Sequence, residues 1–228
     1  MKYIINTWIL FCLASGCCFG QTYVIQGKVE GLQSDSLMIL KFKGENIVAA
    51  KIKVSKRVFK FKDSISEPYF IQILKLSKET GKTDGKLTEL LVESGKITIK
   101  GSSDNYESIK IKGSKSDLVL KKYLEEDKNL QKKWDSLYTI YEDYVLKEDT
   151  VNRKSVGQKL NKITFEQRVP LLKKYVRDYN DNIIGALIPN FCTLQEVLKK
   201  EDYLEIYNLL NEKMRKTNYG QNIFEKTK

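Results

Sequence analysis

Apolar and polar residues alternate with a period of two through the first half of the chain and recur every three to four residues through the second. The first pattern predicts strands, because successive side chains of an extended backbone point to opposite faces. Tyr23, Ile25, Gly27 and Val29 share one face of a first strand, with Val24, Gln26 and Lys28 on the other. A turn over residues 31–36 leads to an apolar strand at 37–42, and a third strand spans 47–54. The short link Ser55-Lys56-Arg57 suits a hairpin into residues 58–62, where Phe59 and Phe61 share a face. Pro68 opens the strand at 69–76, a position that proline tolerates. Residues 77–86 are polar and glycine-bearing and predict an exposed loop, after which 87–93, 96–100 and 108–112 complete about eight short strands. Such regular spacing predicts a sandwich or a barrel-like antiparallel sheet.

At Gly113 the period changes. Ser116 or Asp117 can cap a helix carrying Leu120, Leu124, Leu130, Trp134, Leu137, Tyr141 and Val145 as one apolar stripe. Residues 147–150 interrupt it. Val156, Leu160 and Ile163 begin a second stripe that continues past Pro170, where a kink or split is expected. Asn180-Asp181-Asn182 reads as a turn and cap before the apolar run 183–188, and Thr193-Leu194-Gln195-Glu196 has the spacing of a capping box opening the last helical region. The fold class expected is therefore α+β, an N-terminal antiparallel β-sandwich or barrel-like sheet followed by helices, with a β domain over 21–115 and a helical domain over 116–228.

The first 20 residues fit neither pattern. Lys2, an apolar run at 4–14 and small residues before position 21 have the make-up of an export signal, and no later run approaches the ~18 apolar residues of a spanning helix. Cleavage after Gly20 would release a chain starting at Gln21; the alternative is Ala14-Ser15-Gly16 before Cys17, similar to a bacterial lipoprotein signal, which would leave a lipid on Cys17. Under the second route, Cys17→Ala moves the protein from the membrane to the soluble fraction. Either route removes Cys12, and Cys192 is the one cysteine lying well within the mature body, where Ile188-Pro189-Asn190-Phe191 before it predict a buried small hydrophobe.

The net charge of +11 falls to +10 without the leader, which holds one lysine and no acid. Excess positive charge could attract nucleic acid or anionic lipid. The lysines, however, alternate with apolar residues, Lys60 and Lys62 around Phe61 and Lys110 and Lys112 around Ile111, which reads as a solvated sheet face. No nucleic-acid recognition motif accompanies the charge, so no nucleic-acid partner is expected.

Candidate chemistry is sparse. The chain has no histidine, which excludes a Ser-His-Asp or Cys-His arrangement within it and argues against zinc. Gly81-Lys82-Thr83 resembles the end of a phosphate-binding loop, but Leu76 stands where that loop needs its first glycine. Glu125, Glu126 and Asp127 fan around a helix and read as a solvated face, while Tyr138, Tyr141 and Tyr144 at i, i+3 and i+6 read as a helix seam. Cys17 and Cys18 lack the spacer of a redox pair. No catalytic residue, cofactor site or metal site is expected, and Cys17 is the one candidate modification site.

Four stretches carry a family resemblance: residues 23–31, Val58-Phe59-Lys60-Phe61, residues 91–99 with Glu93-Ser94-Gly95-Lys96 as a turn, and Ile111-Lys112-Gly113-Ser114. Together they resemble a domain of unknown function found N-terminal to thioredoxin-like thiol-disulfide oxidoreductase domains in Gram-negative envelope proteins. Asn182-Ile183-Ile184-Gly185-Ala186 and Asn218-Tyr219-Gly220 are similar to the segment that joins the two domains in those proteins. The resemblance implies an exported protein of the periplasm or outer membrane; the thioredoxin-like domain with its Cys-x-x-Cys pair has no counterpart here, so the family's redox activity passes to no residue of this sequence. The expected function is a non-catalytic envelope module that binds a protein or small ligand. Two alternatives stand beside it: a truncated remnant of a redox lipoprotein, and an enzyme of unrecognised type using carboxylates or tyrosines such as Glu93, Asp104 and Tyr106 at the sheet–helix junction.

Overall fold

The computed structural model describes residues 21–43 and 46–228; the leader at 1–20, and Cys17 with it, lies outside the described residues. The chain divides into two compact units, one holding the chain up to Glu89 together with Glu93–Gly113, the other holding Leu90–Val92 and Ser114–Lys228.

The alternating half forms eight strands: β1 Gln21–Glu30, β2 Ser36–Lys43, β3 Asn46–Ser55, β4 Val58–Ile65, β5 Tyr69–Leu76, β6 Thr83–Val92, β7 Gly95–Ser102 and β8 Asn105–Lys112. They make one nearly closed, barrel-like sheet in the order β6-β5-β2-β3-β4-β1-β7-β8. The core face follows the sequence pattern, with Tyr23, Ile25, Leu37, Ile39, Ile71, Ile97 and Ile99 fully buried. Gly27 lies directly across from Phe59, whose ring occupies the space a Cβ would take, 2.0 Å from that position. The alternation inside β1 thus keeps its period with a cross-strand aromatic standing in for a side chain.

Three features differ from the expected antiparallel sheet. The sheet is mixed, because β1 pairs antiparallel with β4 on one side and parallel with β7 on the other. The polar loop after β5 is shorter than the pattern suggested, since β6 already starts at Thr83; the Gly81-Lys82-Thr83 stretch is part of the turn, closed by Gly81 N–H donating to the Ser77 carbonyl. Finally, Glu93-Ser94 joins strands that are not neighbours in the sheet. Leu90, Leu91 and Val92 are all buried in succession, which breaks the period of two, and they group with the helices. There the Leu91 N–H donates to Asp117 Oδ1.

The second unit is helical: α1 Lys115–Leu146, α2 Thr150–Lys162, a π segment Ile163–Arg168, α3 Val169–Asp178, α4 Ile183–Phe191, α5 Lys200–Leu209, α6 Glu212–Arg215 and α7 Asn218–Glu225. Ser114, rather than Ser116 or Asp117, caps α1, its hydroxyl accepting from the Asp117 N–H. Asn182 caps α4 as the pattern suggested. The expected split near Pro170 takes the form of the π segment, where the Val169 N–H reaches back five residues to the Thr164 carbonyl. Pro170 has no N–H and its ring crowds the carbonyl four residues before it, so the ladder widens by one residue just upstream. Thr193 to Glu196 form turns instead of a helix start; α5 begins at Lys200, with Asp202 accepting from the Lys199 N–H.

One partly buried pair in the sheet unit gives a pH signature. Lys41 Nζ lies 2.8 Å from Asp63 Oδ2. Burial opposes the charge on Asp63, but the hydrogen bonds from Lys41 and the Ser64 amide outweigh it and hold the carboxyl below the ordinary aspartate value. A depressed folded-state value stabilises the fold above the unfolded pKa of about 3.9 and loses that contribution as pH falls through the folded value. The stability difference between the protein and Asp63→Asn should therefore be constant from pH 7 to 5 and shrink below about pH 4. Denaturant titrations at each pH check this, and a difference undiminished at pH 2 refutes it.

Candidate functional site

The charged side chains most withdrawn from water are in the helical unit. Arg168, at the end of the π segment, binds Asp127 of α1 in bidentate fashion, Nε to Oδ1 at 2.7 Å and Nη2 to Oδ2 at 2.8 Å, with the two side chains only 6% and 2% exposed. Thr193 closes the ring: its hydroxyl accepts from Arg168 Nη2 at 2.6 Å and donates to Asp127 Oδ2 at 2.7 Å. The widened π turn sets the side chain of Arg168 inward, and the Thr193 hydroxyl, expected to cap a helix, is consumed by this pair. Beside it, Glu126 accepts from the Tyr175 hydroxyl at 2.8 Å, while burial, then that hydrogen bond, pushes the phenol's pKa up.

The reading of Glu125, Glu126 and Asp127 as a solvated face is thus corrected. The three do fan apart, with Glu125 exposed and Glu126 half-buried, but Asp127 turns fully inward. Tyr123, one turn earlier on α1, packs edge-on against Tyr175 with ring centroids 5.4 Å apart; its hydroxyl is buried and without a hydrogen-bond partner among the described residues. Cys192 is buried as expected, its thiol directed at the Pro189 carbonyl, and burial pushes its pKa up, away from thiolate chemistry. Every charge in the Asp127–Arg168–Thr193 ring is satisfied within the ring, so the arrangement holds helices together and presents nothing to a substrate.

The tyrosines at 138, 141 and 144 do not form a uniform seam. Trp134 and Tyr138 stack at 4.8 Å and 11°, Tyr138 and Tyr141 at 6.2 Å and 17°, and Tyr138 is exposed. Nor does the structure gather Glu93, Asp104 and Tyr106. Glu93 precedes β7 while Asp104 and Tyr106 follow it, so the length of that strand, roughly 25 Å, separates them. Tyr106 is exposed under Lys86, whose ammonium lies 5.3 Å from its ring centre. Among the described residues no group of three or more Cys, Asp or Glu side chains is placed to hold a metal, and no helix is long and apolar enough to cross a membrane.

One of the hollows the sheet unit offers to solvent is a shallow depression of about 450 Å³ lined by Lys28 and Glu30 of β1, Lys100, Gly101 and Ser102 of β7, and Ser108 of β8. It lies where the β7–β8 pairing slips between Lys100 and Ser102, and the Ser108 hydroxyl fills the gap by accepting from the Ser102 N–H. An irregularity of this kind re-aims neighbouring side chains and leaves polar backbone accessible. Its residues escaped the sequence reading because they come from three strands that only the fold brings together. Lysine ammonium, serine hydroxyl and one carboxylate ring an open hollow whose lining surface is mostly aliphatic, and the charged tips suit recognition of a polar or anionic group.

Residues 23–120 match a family described as a domain of unknown function (DUF4369). The match spans the sheet and the first turn and a half of α1, the region in which the resemblance was read from sequence. No curated protein matches the chain.

Proposed function

Starting from the DUF4369 domain that residues 23–120 form, we propose that this protein is a non-catalytic module of the cell envelope that works by binding through the outer face of its sheet. The observation that carries the reading is the open depression over β1, β7 and β8, which gathers Lys28, Lys100 and Ser108 from three strands. The deeply buried charges of the helical unit support it from the other side, since Asp127, Arg168 and Thr193 satisfy one another and cannot also meet a ligand. Export follows from the leader at 1–20, and a lipid on Cys17 would place the module at a membrane. The resemblance to proteins with thioredoxin-like domains fits a part that positions its bearer in the envelope while redox chemistry resides elsewhere.

Full-length protein immobilised and exposed to envelope extract should retain material, scored as protein, lipid phosphorus and sugar, and Lys28→Glu/Lys100→Glu should retain several-fold less. No retention, or equal retention by both, would refute the reading.

A further inference from the structure

The lysines that look scattered in the sequence converge on one side of the sheet. Register places Lys28 of β1 directly across from Lys100 of β7, and Lys100 directly across from Lys110 of β8. The next row runs Lys60, Gln26, Thr98, Lys112, and the one after it Lys62, Val24, Lys96. Directly opposed residues of a sheet project to the same side, and the intervening residues, Ile25, Phe59 and Ile97 among them, are buried on the other. Seven exposed lysines therefore share the outer face of β4-β1-β7-β8, and the one acid on that face, Glu30, is at its margin and already paired with Arg57 at 2.8 Å. None of the seven makes an ion pair among the described residues.

Neighbouring strands stand about 4.8 Å apart and same-face residues along a strand about 7 Å, within the Debye length of about 8 Å at physiological salt. The lysine fields therefore add. Like charges set directly opposite one another are destabilising, and a face that needed only solubility would alternate signs across strands. A polyanion covering the face would remove the repulsion.

From this placement we propose, building on the reading that the outer sheet face is the binding surface, that the lysine face docks on an anionic phospholipid bilayer. The charges are lysines, flexible point charges suited to a fluid array of phosphates, and the face has no arginine forks for bidentate contacts. The exposed aromatic of β8, Tyr106, already lies under the Lys86 ammonium, and a broad four-strand surface does not enter a nucleic-acid groove. The leader adds proximity: β1 begins at Gln21, so a lipid on Cys17 would lie four residues, at most about 14 Å of chain, from the first strand of this face. An anchor at that point would hold the face beside the bilayer, where each lysine close to an anionic surface contributes about 1 kcal/mol, roughly fivefold in affinity.

The test is co-sedimentation of the full-length protein with vesicles of phosphatidylglycerol and phosphatidylcholine mixed, against phosphatidylcholine alone; the ratio of the two cancels any contribution of the apolar leader. The expected preference for the anionic vesicles falls about a hundredfold in Lys28→Gln/Lys100→Gln/Lys110→Gln, at roughly fivefold per lysine, and is unchanged in Lys128→Gln/Lys132→Gln/Lys133→Gln on α1. Raising salt from 0.05 to 0.5 M abolishes it in the unaltered protein, a result that needs no variant to fold. Equal binding to both vesicle types, or a sheet-face triple that keeps the preference, overturns the proposal. So does a duplex oligonucleotide that binds more tightly per phosphate than the vesicles and loses its affinity with the same triple. If Lys28→Glu/Lys100→Glu loses retention of envelope extract while no vesicle preference exists, the bilayer is overturned and the binding face stands; if both are absent, both fall.

Discussion

Arg168→Ala should lower the free energy of unfolding by about 3–5 kcal/mol, the largest loss expected from any single side chain outside the apolar core. The reason is less the attraction that disappears than the carboxylate that remains. Asp127 is almost wholly withdrawn from water, and with the guanidinium gone it keeps only the Thr193 hydroxyl, at 2.7 Å, to answer its charge. Arg168→Lys should recover only part of the loss, because a single ammonium cannot make the parallel bonds at 2.7 and 2.8 Å. Replacing both partners with apolar residues of similar size, Asp127→Leu with Arg168→Met, should restore most of the stability, since no charge is then left buried. Guanidinium titrations of the three variants check this; an Arg168→Ala loss below about 1 kcal/mol would show that water reaches Asp127.

The second large effect is expected at the boundary between the units. Gly113 has a φ of +100°, and a Cβ there would stand 2.0 Å from the carbonyl oxygen of Lys96, on the strand that pairs with β8. Neither atom can yield cheaply, because the carbonyl belongs to the backbone and a Cβ is fixed in place by its own. Gly113→Ala should cost about 3 kcal/mol, combining the strained conformation with a forced separation of β7 from the end of β8. Gly81 supplies the control: its φ of +67° is also left-handed, but nothing lies within 4 Å of the missing Cβ, so Gly81→Ala should cost only about 1 kcal/mol. Equal losses from thermal unfolding of the two variants would show that conformation alone, and not the collision, sets the cost.

That collision also explains why Ile111-Lys112-Gly113-Ser114 could be recognised from sequence. The glycine answers a steric demand and Ser114, immediately after it, caps the long helix α1. Gly27 belongs to the same class, since Phe59 needs the space above it. These demands are short-range or fall between adjacent strands, and they leave a mark on residue identity.

The Asp127–Arg168–Thr193 ring left no comparable mark. Its members are 41, 25 and 66 positions apart, and two of them had a plausible local role: a solvated helix face for Asp127, a capping box for Thr193. The local reading failed because a buried charge claims any hydroxyl within reach more strongly than a free helix terminus does. The parallel pairing of β1 with β7 was hidden for a related reason, since alternation tells which face a residue occupies but not which strand lies beside it.

By itself, then, the amino-acid order determined what depends on near neighbours: a period of two that makes eight strands, a period near 3.6 that makes helices after Gly113, the cap at Asn182 and the burial of Cys192. The tertiary structure decided what depends on which strands and helices come to lie side by side. It turned a lysine pattern that is innocuous along any one strand into a single charged face, because Lys28, Lys100 and Lys110 become neighbours only through strand register. Periodicity is a property of the backbone's own repeat, whereas charge density is a sum over space, and only the folded chain fixes the distances over which that sum is taken.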